Sequence, residues 1–379
     1  MQKLSAFICV HLLTIFLFVS VSAQEFKTVQ DGVEYAEMTR GTKEEPVHIN
    51  LLKLDLTKVR LDVAHAMDAA LGLEKTSSIA ARYNALAAIN AGFFRLDKSI
   101  FAGDATGVLM IDSNFWSETY SNRVALLIAN KQNRTETYIA NLDVSHRVMI
   151  RGFHLKVTGI NRQRKENDLI IYQPEFSRTS LTDDKGLEIL VINNRISRIF
   201  KNKGNNIIPR NGYILSASGE WVEELARAVR VKAKAKFGHE PASRTTADLL
   251  LKVMTARGDI VGGVPQLIKN GKIEITWQQE KSSKEFVETR HPRTAVARLK
   301  DGKFLMVTID GRQAGYSVGM NLNELAAFLL ELGAQDAMNL DGGGSTTMFL
   351  DGKVVNKPSD KEGERSVSDA ILVFPRKRN

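Results

Sequence analysis

Apolar and polar residues alternate over most of the stretch from Leu51 to Val63, with Leu52, Leu54 and Leu56 set against Lys53, Asp55 and Thr57. A period of two is that of a half-buried β-strand. A denser run follows from Ala85 to Ile89, ends in Asn90, and passes through Ala91 and Gly92 to the pair Phe93 and Phe94. This reads as an apolar strand whose polar end is either a turn or the wall of a pocket. From Gly107 to Ala140, short strands are separated by Asp112-Ser113-Asn114 and Asn130-Lys131-Gln132-Asn133, the turn chemistry of a meander. Further strands are predicted at His154 to Val157, Leu169 to Tyr172, Glu188 to Ile192 and Tyr213 to Ser216. Helical spacing is brief: a short helix opens at Thr76 and runs to Tyr83, and Trp221, Leu225 and Val229 mark one apolar stripe between Gly219 and Val229.

The C-terminal part is patterned differently. Phe304 to Ile309 is a strand ending at Asp310-Gly311-Arg312. Asn321 and Glu324 stand in capping-box spacing ahead of a helix from Leu322 to Leu332, which Gly333 stops. Ala337 to Leu340 is the next strand and ends at Asp341. Two strands joined through such a helix lie parallel in one sheet with a right-handed crossover. Asp310 and Asp341 are therefore expected at one sheet edge, where open α/β sheets bind ligands, with Asn90 joining them if its strand runs the same way. The predicted class is α+β or mixed α/β: a large strand-rich mixed sheet core, a few packing helices, and the strand-helix-strand unit near the C-terminus.

Composition narrows the setting. The 379 residues are 43% hydrophobic, enough for a sizeable core in one large or two intimate units. Residues 1–23 combine Lys3, an apolar run and Val21-Ser22-Ala23, and read as a secretory signal cut after Ala23. Residues 24–379 would then form the working unit, with 24–150 as a strand-rich part packed on 151–379 in an alternative division. The only cysteine is Cys9, within that leader, so the exported chain is expected to rely on core burial in a bacterial periplasmic or extracellular setting without a stable membrane anchor. The formal charge of +9, or +8 once Lys3 is removed, favours anionic ligands. No basic motif interleaved with aromatics suggests nucleic acid.

The densest chemistry lies in Asn339-Leu340-Asp341-Gly342-Gly343-Gly344-Ser345-Thr346-Thr347. Three glycines bare the backbone, and consecutive N–H groups followed by hydroxyls could cradle anionic oxygens. Val261-Gly262-Gly263-Val264-Pro265 suggests a close backbone approach at Gly263, to a ligand or to another strand. Arg290 and Arg293 flank Pro292, and Thr294 opens a strand; each guanidinium suits a phosphate or an ion pair. There is no dinucleotide fingerprint or P-loop, so no cofactor is required by motif. Two carboxylates and an amide leave a divalent cation open, whereas the scattered histidines do not suggest zinc. Glu324 has a sufficient job as a cap. Arg365 and Asp369 read by default as an ion pair, with a rim role as the alternative.

In order, Ile89 to Phe94, Gly262 to Ile268, Arg290 to Ala295, Val307 to Arg312, Asn339 to Thr346 and Arg365 to Asp369 resemble the phosphodiester glycosidase family. The resemblance spans Pro46 to Phe374. It implies hydrolysis of a sugar-1-phosphodiester, such as one of N-acetylglucosamine, to free sugar and a phosphomonoester, with a phosphorylated carbohydrate as partner. On that reading Asp341 or Asp310 is the nucleophile or base, and the other supports an oxocarbenium-like centre. Arg293 and Arg312 hold the phosphate with Gly342, Gly343, Gly344 and Ser345, while Asn90, Asn339 and Thr294 orient hydroxyls or water. The competing classes are a non-catalytic carbohydrate- or envelope-binding protein and a serine hydrolase using Ser345.

Overall fold

The computed structural model describes residues 25–120 and 122–376. The expected leader, with Cys9 and the expected cleavage point after Ala23, lies outside the described residues. The chain is strand-rich, with few helices and several sheets. The main sheet has eight strands, in the order Lys27–Gln30, Val33–Gly41, Pro46–Leu54, Phe304–Ile309, Arg293–Leu299, Ala334–Asn339, Gln266–Lys269 and Lys272–Ile273. Arg293–Leu299 runs antiparallel to both Phe304–Ile309 and Ala334–Asn339. The strands on either side of the crossover helix are therefore parallel, as expected, but they are not adjacent: the strand that begins with Arg293 fills the gap between them.

The expected single strand from Leu51 to Val63 is two strands, Pro46–Leu54 and Val59–His65. The break has a local cause. Asp55 accepts hydrogen bonds from the Thr57 N–H (3.0 Å) and hydroxyl (2.6 Å), and its carbonyl receives the Lys58 N–H (2.8 Å), closing a turn in mid-run. Val59–His65 then leaves the main sheet for a second one ordered Lys353–Val354, Met348–Leu350, Ala87–Asn90, Asp369–Pro375 and Val59–His65. The two sheets share one core. Leu52, Leu54, Val296, Met306 and Met338 from the first pack with Leu61, Val63, Ile89, Met348, Ile371 and Val373 from the second.

The helix Leu322–Glu331 carries the predicted capping box: Asn321 accepts from the Glu324 N–H, and Glu324 accepts from the Asn321 N–H. Its Leu322, Leu325, Ala326 and Leu329 cover the other face of the main sheet, over Ile49, Leu51, Val307, Ile309 and Ala337. A helix at Arg244–Thr255, capped by Ser243, and the strand Ala235–Pro241 were not legible in the sequence. Among the described residues, no helix is long and apolar enough to cross a membrane.

Candidate active site

The site grows from the strand Ala87–Asn90, which lies between Met348–Leu350 and Asp369–Pro375. All four of its residues are buried, so the amide of Asn90 has to find partners inside the protein. Its Nδ2 donates to the Asp341 carbonyl (2.6 Å), while its Oδ1 accepts from the Thr294 hydroxyl (2.8 Å) and the Thr347 N–H (3.0 Å). The next residue, Ala91, receives the Asp341 N–H on its carbonyl (2.9 Å) and donates its own N–H to the Asp369 carbonyl (3.2 Å). Gly92 then donates its N–H to the Asp369 carboxylate (2.6 Å). A Cβ on Gly92 would stand 3.1 Å from Oδ2 of Asp369, tighter than side chains ordinarily pack, so glycine lets the carboxyl close in. Three consecutive residues thus hold Asp341 on one side and Asp369 on the other.

Asp341 is the half-buried acid of the pair, ringed by protein yet reached by solvent. Burial pushes its carboxyl up to about 7; Ser345, Arg365 and the Gly342 N–H oppose the shift, and Asp369 adds to it. Asp369 is buried, and its pKa is raised by burial against the opposing charge of His65, its Gly92 bond and the Ser368 hydroxyl at 2.9 Å. His65 is its cross-strand partner, with Nδ1 beside the Ala66 carbonyl (3.3 Å) and Nε2 beside the Gly103 carbonyl (3.1 Å). The sequence suggests an ion-pair or rim role for Asp369, whereas the structure buries it against the Gly92 N–H. Its one sequence signal is position: an acid opening an otherwise apolar strand.

Asp310 is placed differently from Asp341. It is 1% exposed, and its carboxylate is filled by Asn356 Nδ2 (2.9 Å), the Lys357 N–H (3.0 Å) and the Tyr316 hydroxyl (3.1 Å). Asn356 in turn donates to the Thr346 carbonyl (3.1 Å) and accepts the Met348 N–H (2.7 Å). Asp310, buried and accepting three hydrogen bonds, therefore pins the far side of the glycine loop. Asn339, fully buried, spends its Nδ2 on the carbonyls of Val264 (2.7 Å) and Leu340 (2.8 Å). A Cβ on Gly263 would lie 2.4 Å from the Asn339 carbonyl oxygen, so this close approach is between strands. Thr294 and Thr346, both buried, face one another at 3.4 Å as framework.

The arginines divide likewise. Arg290 is held at the surface by Glu324 (2.6 Å) and Glu45 (2.9 Å), which takes it out of the expected phosphate set. Arg293 is 1% exposed; Nε donates to the Met320 carbonyl (3.0 Å), and Nη2 donates to those of Phe286 (2.8 Å) and Thr289 (2.7 Å). Burial and the Arg312 charge push its pKa down to about 10, so it stays charged at neutral pH as a buried strut. Arg312 alone of the three is exposed and meets no carboxylate. It leans on Nδ1 of His291 (3.2 Å from Nη2), with Nη1 3.1 Å from where a Gly343 Cβ would be. Its backbone holds a left-handed φ of 59°, costly for a side chain of this size and a feature of functional positions.

The glycine loop is not the open cradle expected of it. The N–H groups of Gly343, Ser345 and Thr346 go to the carbonyls of Pro292 (2.9 Å), Gly342 (3.2 Å) and Gly343 (3.2 Å), winding Gly343–Ser345 into a single 3₁₀ turn. The glycines serve approach: Gly344 lies under Arg365, whose guanidinium pairs with Asp360 at 2.7 and 3.0 Å and leaves no room for a Cβ. Ser345 is buried and its hydroxyl faces the Asp341 carboxyl, unlike a nucleophile set on an exposed elbow. Among the described residues, no three His, Cys, Asp or Glu side chains gather as a metal-binding group. What the arrangement offers is one half-buried acid, Asp341, whose carboxyl burial raises well above its ordinary range, beside a glycine turn approached by Arg312 and Arg365.

Residues 187–374 match the family of phosphodiester glycosidases. The chain is 37% identical over 110 residues to the bovine (Bos taurus) N-acetylglucosamine-1-phosphodiester alpha-N-acetylglucosaminidase, a match covering 27% of this chain and 20% of that protein. It thus spans about a fifth of the length of this curated relative. In fold it is similar to a hypothetical protein from Synechocystis, with a TM-score of 0.78 and 23% identity over 94% of this chain and 64% of that one. It is also similar to a putative exported protein from Burkholderia pseudomallei, with a TM-score of 0.73 and 24% identity over 87% of this chain and 74% of the other.

Proposed function

From the premise that the chain carries a phosphodiester glycosidase domain, we propose that it hydrolyses the glycosidic bond of a sugar-1-phosphodiester after export, with Asp341 as the base. The observation that carries this reading is that Asp341 is half-buried and reachable while Asp310 and Asp369 are closed in. A phosphomonoester is a stable anionic leaving group, so bond breaking needs charge neutralisation more than protonation. Ionised Asp341 takes a proton from water as the water oxygen bonds to C1. The C1–O bond to phosphorus breaks, and the electron pair leaves with the phosphomonoester, which Arg312 meets. Asp369, closed in behind Asp341, does not touch the sugar; burial first, and Asp369 after it, raise the pKa of the base.

The purified chain incubated with an N-acetylglucosamine-1-phosphodiester should release free sugar and phosphomonoester in equal amounts; release of sugar-1-phosphate instead would put the break on the wrong side of the phosphorus. Arg312→Ala, which removes an exposed group paired with no carboxylate, should leave the unfolding temperature unchanged and lower kcat/KM by about a hundredfold, the order of a lost charge-assisted contact to the transition state. Wild-type kinetics in that variant would remove Arg312 from the phosphate site.

A further inference from the structure

A second polar recess lies outside the acids and the glycine loop. It is a cavity of about 710 Å³ whose lining includes Arg95, Asp104, Glu118, Tyr120, Gln163 and Lys165. Most of its charges are spent: Glu118 receives Arg162 at 2.8 Å and the Ile160 N–H at 2.9 Å, and Arg95 donates to Gln163 at 2.6 Å and pairs with Asp97. Three groups are not. The Asp104 carboxyl accepts no hydrogen bond from the described residues, although burial, with Glu118 adding to it, pushes its pKa up to about 7. The Lys165 ammonium is exposed, its charge acts on Asp104, and it takes part in no ion pair among the described residues. Tyr120 is 49% exposed, with Arg123 over one face of its ring at 4.6 Å.

The recess shares a wall with the active site. Thr106, in its lining, donates its N–H to the Phe93 carbonyl at 2.7 Å, one residue beyond the Gly92 that holds Asp369. On the other side of that wall, Nε2 of His65, the cross-strand partner of Asp369, meets the carbonyl of Gly103, the neighbour of Asp104.

A carboxyl with unmet hydrogen-bonding capacity, a flat aromatic face and an unpaired cation, converging in one cavity, suit a hydroxyl-rich ring that bears a negative charge. We infer that this cavity is a subsite for a further phosphate-bearing sugar unit of an extended substrate, with Asp104 accepting from sugar hydroxyls, Tyr120 stacking on the ring and Lys165 meeting the phosphate. The inference rests on the proposed hydrolysis and deepens it: the substrate is a polymer of sugar phosphodiesters rather than a single capped sugar.

The test compares a methyl diester of N-acetylglucosamine-1-phosphate with a trimer of the same sugar-1-phosphodiester linkage, using the full chain and the variants Lys165→Ala, Tyr120→Ala and Asp104→Asn. Each variant should lower kcat/KM for the trimer about tenfold and leave the monomeric diester unchanged. Equal losses on both substrates, or none on either, overturn the subsite. Calorimetric titration with the trimer supplies the second arm. If the wild type hydrolyses neither substrate, the hydrolase reading fails; trimer binding that weakens in Lys165→Ala still supports the subsite, and binding that is absent or unaltered overturns it.

Discussion

Asp341→Asn should fold, bind the diester and turn it over about 10²- to 10⁴-fold more slowly than the wild type, the usual worth of a positioned base. The substitution keeps the bonds that tie residue 341 to Ala91 and Asn90, because these use its backbone. Turnover at the wild-type rate would end the base assignment. The pH dependence follows from the same carboxyl. A base with a pKa raised to about 7 is ionised only above that value, so wild-type kcat/KM should climb with pH and level off above about 7. Stability runs the other way. Folding raises this carboxyl from its ordinary 3.8, so between those values the folded chain holds a proton that the unfolded chain releases. Its stabilising contribution is complete below about pH 4 and is lost as the pH rises to about 7. Asp341→Asn should therefore unfold at a higher temperature than the wild type at pH 8 and at the same temperature near pH 4. Asp310→Asn gives the contrast: it puts an amide against three donors, should cost about 2 kcal/mol of stability, and should lower turnover only as the folded fraction falls.

Signals confined to a few neighbouring residues were readable from the chain. The capping box of Asn321 and Glu324 and the strands Leu169–Tyr172 and Phe304–Ile309 each depend on side chains within reach of their own backbone. The parallel direction of the strands before Asp310 and Asp341 was also readable, since helix length and chirality constrain it, whereas the strand inserted between them was not. What the sequence could not show is how each polar group is satisfied. Asp310 and Asp341 look alike as residues closing apolar strands ahead of a glycine, and only partners 46 residues away from Asp310, at Asn356, and beyond make one a strut and leave the other reachable. Arg293 has the look of a phosphate ligand beside Pro292, yet it is buried and its Nε and Nη2 donate to carbonyls from two other segments. The glycine triplet suggested open N–H groups, and the Pro292 carbonyl, contributed by the intervening strand's approach, claims one of them.

Asn90→Ala should be the most damaging single change in the site that removes no charge. Truncation leaves the Thr347 N–H and the Asp341 carbonyl without the partner that Asn90 provided, and frees the Thr294 hydroxyl, all beside a strand end with no exposed surface. Buried backbone groups stripped of a partner cost roughly 1–3 kcal/mol each, so a total of about 3–5 kcal/mol is expected, read as a fall in the unfolding midpoint in denaturant. Turnover should collapse even under conditions where the chain stays folded, because Asn90 is the side chain that ties Asp341 to the second sheet. Asn90→Asp separates the two effects. It keeps an acceptor for Thr294 and Thr347 but turns a carboxylate oxygen toward the Asp341 carbonyl, and it adds a third acid next to a base already raised to about 7. That variant should retain more stability than Asn90→Ala, with the rise in its pH–rate profile displaced to higher pH. An Asn90→Ala chain with the wild-type midpoint and wild-type turnover would mean that Asp341 is seated by the loop alone. An unshifted profile in Asn90→Asp would mean that the carboxyl setting the rate lies elsewhere.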